Sequence, residues 1–284
     1  MQQPGVTPLH EDAPCGRASK RGFVGIVNPA VLGSLFAGGL TLGIVLMLEL
    51  GRRIRRVQQV RHGDEMAKGL GAVEGAVFGV MGLLLAFTFS GAAIRFDLRR
   101  QQIIDEANNI GTAYLRLDLL PPEARTVIQE KFRQYVDARL DTYRAIPDTA
   151  RVMAAVTRAA DLQQEIWSLS VTAAHEVPGP QATLLLMPAL NEMFDIAATR
   201  LATTRLHPPP IIYVMLFVLT LICSFLAGYD MGAEATRSWV HMLGFALILG
   251  IAVYVIVDLE FPRLGLIRLD SFDQLLVNVR AQMR

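Results

Sequence analysis

Four stretches of this chain run for about 20 residues without a charged side chain, the length that carries an α-helix across the hydrocarbon of a bilayer. They are Val31 to Leu48, Gly75 to Ile94, Ile211 to Tyr229 and Trp239 to Val257. Buried helices of a soluble core seldom reach this length four times in one chain, so the runs predict an all-α, multi-pass membrane protein. Aromatic side chains mark their ends. Tyr213 and Tyr229 bracket the third run and Trp239 opens the fourth, as rings at the headgroup level do. Apolar residues make up 52% of the chain and charged residues 19%, and the apolar excess is concentrated in these runs. About 30 mixed residues precede the first run and no cleavage pattern follows it, which argues against a secretory leader.

Four spans divide the chain into an N-terminal tail (1–29), spans one and two (30–94) joined by a basic loop (51–70), a helical extramembrane domain (95–210), spans three and four (211–259) and a C-terminal tail (260–284). Both termini and the 95–210 domain then lie on one side. Charge does not settle which side. The loop concentrates Arg52, Arg53, Arg55, Arg56, Arg61 and Lys68, a dense positive-inside signal. The opposite flanks carry more basic residues in total, among them Arg17, Lys20, Arg95, Arg99, Arg100, Arg263 and Arg268.

Residues 95–210 hold 13 Lys and Arg against 14 Asp and Glu, the composition of a solvated domain. Their periodicity is helical and predicts four helices. The first carries Ile103, Ala107, Ile110, Tyr114 and Leu117 on its apolar stripe, with Glu106 and Asn109 off it. Pro121-Pro122 opens a second, with Ile128, Phe132, Tyr135, Arg139 and Tyr143. Pro147-Asp148 ends that helix and caps a third, carrying Val152, Val156, Ala160, Trp167 and Leu169. Val177-Pro178-Gly179-Pro180 precedes a fourth, with Leu186, Leu190, Phe194, Ala197 and Leu201; Pro188 either kinks it or marks its start. Nothing breaks the chain between span two and the first of these helices, so one continuous helix is expected to join membrane to domain.

Span two carries Gly71, Gly75, Gly79, Gly82, Ala86, Ser90 and Ala93. Small residues four apart allow helix backbones to approach closely in lipid. The stripe fits close packing against span one at Gly39 and Gly43, and it also fits a pathway-facing helix in an oligomer.

Catalytic signatures are missing. The sequence has no nucleophile elbow, phosphate loop or metal-ligand spacing, and its two cysteines, Cys15 and Cys223, support neither a disulfide framework nor a cysteine zinc site. No catalytic residue, cofactor or metal is therefore assigned, and a net charge of +1 gives no ground for nucleic-acid binding. Polar candidates for an ion site are Glu74 near the edge of span two, Glu106 with Asn109, and Glu192 with Asp195.

Glu74 to Arg100, Glu106 to Asp118 and Asp258 to Gly265 resemble the bacterial bestrophin-like family, a membrane domain of unknown function. The resemblance implies a multi-pass protein of the bacterial inner membrane. Phe87, Ser90, Arg95, Phe96 and Arg100 further match the span-two pattern of bestrophins, which are pentameric anion channels with a largely cytosolic helical body. By that likeness the 95–210 domain is cytoplasmic, the chain forms a homo-oligomer in the bilayer, and span two lines a pore for small ions such as chloride. Gly79, Leu83 and Phe87 take the constriction positions, with Ser90 beyond them, and Gly79 departs from the bulky residue expected there. Arg95, Arg99 and Arg100 would attract anions at the pore mouth. The alternative function is a sensory or scaffolding membrane protein whose helical domain binds a partner or ligand.

Overall fold

The computed structural model describes residues 29–62, 70–233 and 238–283. Among them eight α-helices follow in chain order: α1 (Pro29–His62), α2 (Leu70–Arg116), α3 (Pro122–Arg144), α4 (Thr149–Glu176), α5 (Gln181–Thr203), α6 (Pro210–Met231), α7 (Trp239–Glu260) and α8 (Asp270–Gln282). No strand occurs among the described residues. Three of these helices, α2, α6 and α7, are long and apolar enough to cross a membrane.

α2 organises the molecule. Its 47 residues give a rod of about 70 Å. The expected continuity is present, because no proline or cap interrupts the helix between the apolar run and Arg116. The first half packs on α6 and α7, and α1 lies across α6 and α7 in the same unit. That core contains Met81, Ala92, Leu216, Cys223, Val253 and Ile256, with a second cluster at Ile44, Leu48, Met242 and Ala246. Hydroxyls inside these helices are satisfied locally. Thr220 donates to the Leu216 carbonyl and Ser224 to the Thr220 carbonyl, each at 2.7 Å.

The second half of α2 enters a separate core with α3, α4, α5 and α8. Ile110, Leu117, Ile128, Phe132, Tyr135, Ile166, Leu186 and Leu190 fill it. The breaks come from the residues expected to make them. Pro122 occupies the first turn of α3, where its missing N–H costs nothing. The Asp148 carboxylate caps α4 by accepting from the Ala150 and Arg151 N–H groups, both at 3.1 Å. Gly179 turns the chain before α5 at φ +88, a left-handed conformation that favours glycine. α5 begins at Gln181, so Pro188 lies inside the helix rather than at its start.

Four expectations need correction. The basic loop 51–70 is helical as far as His62, because arginine is a good helix former and charge alone does not stop a helix. Residues 63–69, with Lys68, lie outside the described residues. The C-terminal tail contains α8, whose Leu276 is fully buried in the second core. The buried face of α4 runs through Ala159, Leu162, Ile166, Ser170 and Ala173, leaving Trp167 and Leu169 at its edge. Glu106 faces the second core instead of solvent.

Candidate functional site: an open helix face and the clusters that hold it

The two faces of α2 within the membrane unit differ sharply. Val77, Phe78, Met81, Leu84, Leu85 and Ala92 point into the core with α6 and α7. Gly79, Leu83, Phe87 and Ser90, spaced to share one side of a helix, point away from it. Leu83 is 57% and Phe87 69% exposed, and Ser90 is exposed too. A Cβ built at Gly71, Gly75, Gly79 or Gly82 meets nothing within 4 Å among the described residues. Among the described residues the stripe therefore does not pack against the first span, contrary to the first of its two expected roles.

Close glycine packing does occur, but between α1 and α6. A Cβ on Gly51 would collide with the Phe225 carbonyl, and one on Gly228 with the Leu48 backbone. At Gly232 it would lie 2.6 Å from the Arg55 Cβ. Only glycine allows these backbones to touch.

The basic residues at the end of the open face are tied to α7. Glu260 is buried, and its carboxylate accepts from the Arg95 Nε at 2.8 and 3.1 Å and pairs with the Arg95 Nη2 at 2.7 Å. Arg99 donates to the Glu260 carbonyl at 3.0 Å and to the Leu206 carbonyl at 3.0 Å, and it pairs with the same carboxylate at 3.5 Å. His207 Nδ1 reaches that carboxylate at 3.1 Å while its ring stacks on Phe261. One acid thus joins α2, α7 and the α5–α6 connection. Two guanidiniums against one carboxylate leave a formal charge of +1 here. Arg100 stands apart, paired with Asp97 at 3.2 Å and lying over the Phe272 ring.

Asp258 secures the turn that follows α7. Its carboxylate accepts from the Leu266 N–H at 3.0 Å and the Ile267 N–H at 2.8 Å. A side chain at Gly265 would overlap that carboxylate. The Asp258 to Gly265 motif is therefore one folded unit, and its Glu260 is the hub that ties α7 to α2.

Glu106 holds the second half of α2 in place. It is fully buried between Arg139 and Arg200, donors from α3 and α5. Arg139 also donates to the Tyr143 hydroxyl at 2.8 Å, and the guanidiniums of Arg200 and Arg263 lie over the Tyr143 ring at 4.1 and 4.7 Å. Burial pushes the Tyr143 phenol up, so the hydroxyl stays protonated and the ring keeps its neutral face for these cations. Glu106 and Asn109 do not share a site, since Asn109 donates to the Glu192 carbonyl at 3.2 Å. Glu192 and Asp195 are exposed. Glu74 lies half-buried near the start of α2, within electrostatic reach of Asp230 and Arg55. No group of three or more His, Cys, Asp or Glu able to hold a metal occurs among the described residues.

Between the two cores lies a cavity of about 380 Å³. Arg99, Gln102, Tyr143, Val152, His207 and Arg263 are among its walls.

Comparison with known proteins agrees with this arrangement. Two crystal structures of a bacterial bestrophin homolog from Klebsiella pneumoniae, each of a single-residue mutant, share the fold. The mutant with a tyrosine replaced by alanine aligns at TM-score 0.59 and 14% identity, over 84% of this chain and 99% of that one. The mutant with a tryptophan replaced by alanine aligns at TM-score 0.60 and 15% identity, over 85% of this chain and 97% of that one. No curated protein sequence matches. A family model described as the bestrophin-like domain matches residues 35–271, most of the chain. This multi-pass membrane protein belongs to the bestrophin-like family.

Proposed function

We propose that the protein is an ion channel built from identical protomers, pentameric by its likeness to bestrophins, with α2 lining an anion-conducting pore. The observation that carries this reading is the open face of α2. α1, α6 and α7 also expose large apolar side chains, Leu46, Ile211 and Ile248 among them, but the α2 face alternates these with small residues: Gly79 and Ser90 lie with Leu83 and Phe87, and none of the four is covered among the described residues. A ring of protomers would bring these faces around an axis. α1 would complete four spans, with both termini and the 95–210 region in the cytoplasm of a bacterial cell.

In such a ring Leu83 and Phe87 would form an apolar constriction, which gates by dewetting. Gly79 would leave a wider ring one turn away. Arg95 and Arg99, with their residual positive charge beside Glu260, would favour anions at the mouth, and Arg100 would add a more exposed charge. The Glu260 hub gives the pore a mechanical connection, since any shift of α2 in the body is transmitted along one unbroken helix.

Chloride efflux from liposomes holding the purified protein tests the proposal. Efflux above that of empty liposomes supports it, and a correctly inserted oligomer that passes no ions overturns it. The second reading, a sensory protein without a pore, is favoured by the cavity of about 380 Å³ between the cores. A monomer or dimer with α2 covered by its own partners would favour that alternative.

A further inference from the structure

A second cavity, of about 260 Å³, lies against α2, α6 and α7 where these helices approach the second core. Its walls change character along their length. On α2 the order from the body toward mid-membrane is Arg95, Gly91, Thr88, Phe87 and Leu84, a rise of roughly 16 Å. On α6 and its lead, Pro208 is followed by Ile212, Tyr213 and Met215. Cationic and hydroxyl groups therefore gather at one end, and the other end is apolar.

Two features of the polar end have no use in holding the protomer together. The Tyr213 hydroxyl is buried and has no hydrogen-bond partner among the described residues. Leaving such a group unpaired is unfavourable by about 1–3 kcal/mol. Arg95 uses Nε and Nη2 on Glu260, while its Nη1 edge lies over Gly91, where a Cβ would sit 3.2 Å away. Gly91 thus keeps open the space beside that edge. The neighbouring Arg99 and Glu260 offset each other, so the end of the slot retains one positive charge.

We propose that this slot binds an anionic phospholipid from the bilayer. The headgroup phosphate pairs with Arg95 Nη1 and accepts from the Tyr213 hydroxyl, and an acyl chain lies along Ile212, Met215, Leu84 and Phe87. The gradient from charge to hydrocarbon matches a lipid and has no purpose for a free inorganic anion. Because Phe87 also lies on the open face of α2, the lipid would touch the residue assigned to the constriction.

Delipidated full-length protein in detergent, titrated with dioctanoyl phosphatidylglycerol and followed by native mass spectrometry, tests this. Dioctanoyl phosphatidylcholine and inorganic phosphate are the comparison ligands. Phosphatidylglycerol should bind most tightly. Tyr213→Phe should weaken it roughly tenfold, the value of one hydrogen bond to a charged group. Its melting temperature should not fall, since the hydroxyl has no internal partner to lose. Gly91→Leu, which fills the slot, should abolish binding. Equal binding of phosphatidylcholine, equal occupancy by inorganic phosphate, or unchanged affinity in both variants would overturn the proposal. The assay reads binding and not flux, so its failure leaves the channel reading untouched.

Discussion

The two halves of α2 share one helix and differ in what they bury and in what their outer faces carry. From Arg99 to Arg116 one face of the helix is sealed in the second core, and its outer face is largely polar, with Gln101, Asn108 and Thr112 exposed. Ile103, Ile110 and Ala113 are almost wholly buried, as is Leu117 just past the helix, and even Glu106 is sealed between two guanidiniums. From Gly71 to Ile94 only one face is covered, and the other presents glycines with empty space before them and large apolar side chains in the open. The first pattern belongs to a structural core. The second makes sense only where lipid, water or another protomer completes the surface. Glycine teaches the same lesson, because at Gly51 and Gly228 it permits backbone contact, while at Gly75 and Gly79 it leaves room.

Substitutions that break each half should differ in size and in kind. Glu106→Gln leaves Arg139 and Arg200 buried without their counter-charge and should cost about 3–5 kcal/mol, seen as a large fall in the thermal midpoint in detergent. Ile110→Ala opens a cavity in the same half at roughly 2–5 kcal/mol, measurable by the same melt. Gly228→Ala, on the packed seam, forces α6 from the Leu48 backbone and should cost roughly 1–3 kcal/mol. Gly79→Ala is the counter-case. With nothing near its Cβ, it should leave stability level or raise it by up to about 1 kcal/mol. A fall in midpoint as large as that of Gly228→Ala would show that the α2 stripe is packed after all.

Much of the fold is legible in the sequence because its signals are local. Pro122, Asp148 and the Val177–Pro180 break act on their own neighbours, and the unbroken run through Phe96 and Asp97 announces a continuous helix. Less of the site is legible, because its contacts join distant residues. Arg95 and Glu260 stand 165 positions apart, and nothing near either names the other. Glu106 falls between Ile103 and Ile110 on the apolar side of α2, but polarity reads as exposure until Arg139 and Arg200 are placed beside it. Arg52 to Arg56 read as a loop because the positive-inside rule counts charges without regard to conformation. Leu269, Phe272 and Leu276 carry the helical spacing of α8, a local signal present in the last 15 or so residues.

The central claim is that the open face of α2 lines an aqueous path. Thiol accessibility tests it most directly. In a background of Cys15→Ser and Cys223→Ser, Leu83→Cys on that face is compared with Ile248→Cys, which is 73% exposed on α7. Both are treated with a water-soluble thiol reagent during chloride efflux from liposomes. If α2 lines the pore, the reagent modifies Leu83→Cys and blocks efflux, while Ile248→Cys stays unmodified in lipid and conducts as before. If Leu83→Cys stays unmodified while efflux continues, α2 does not line the path.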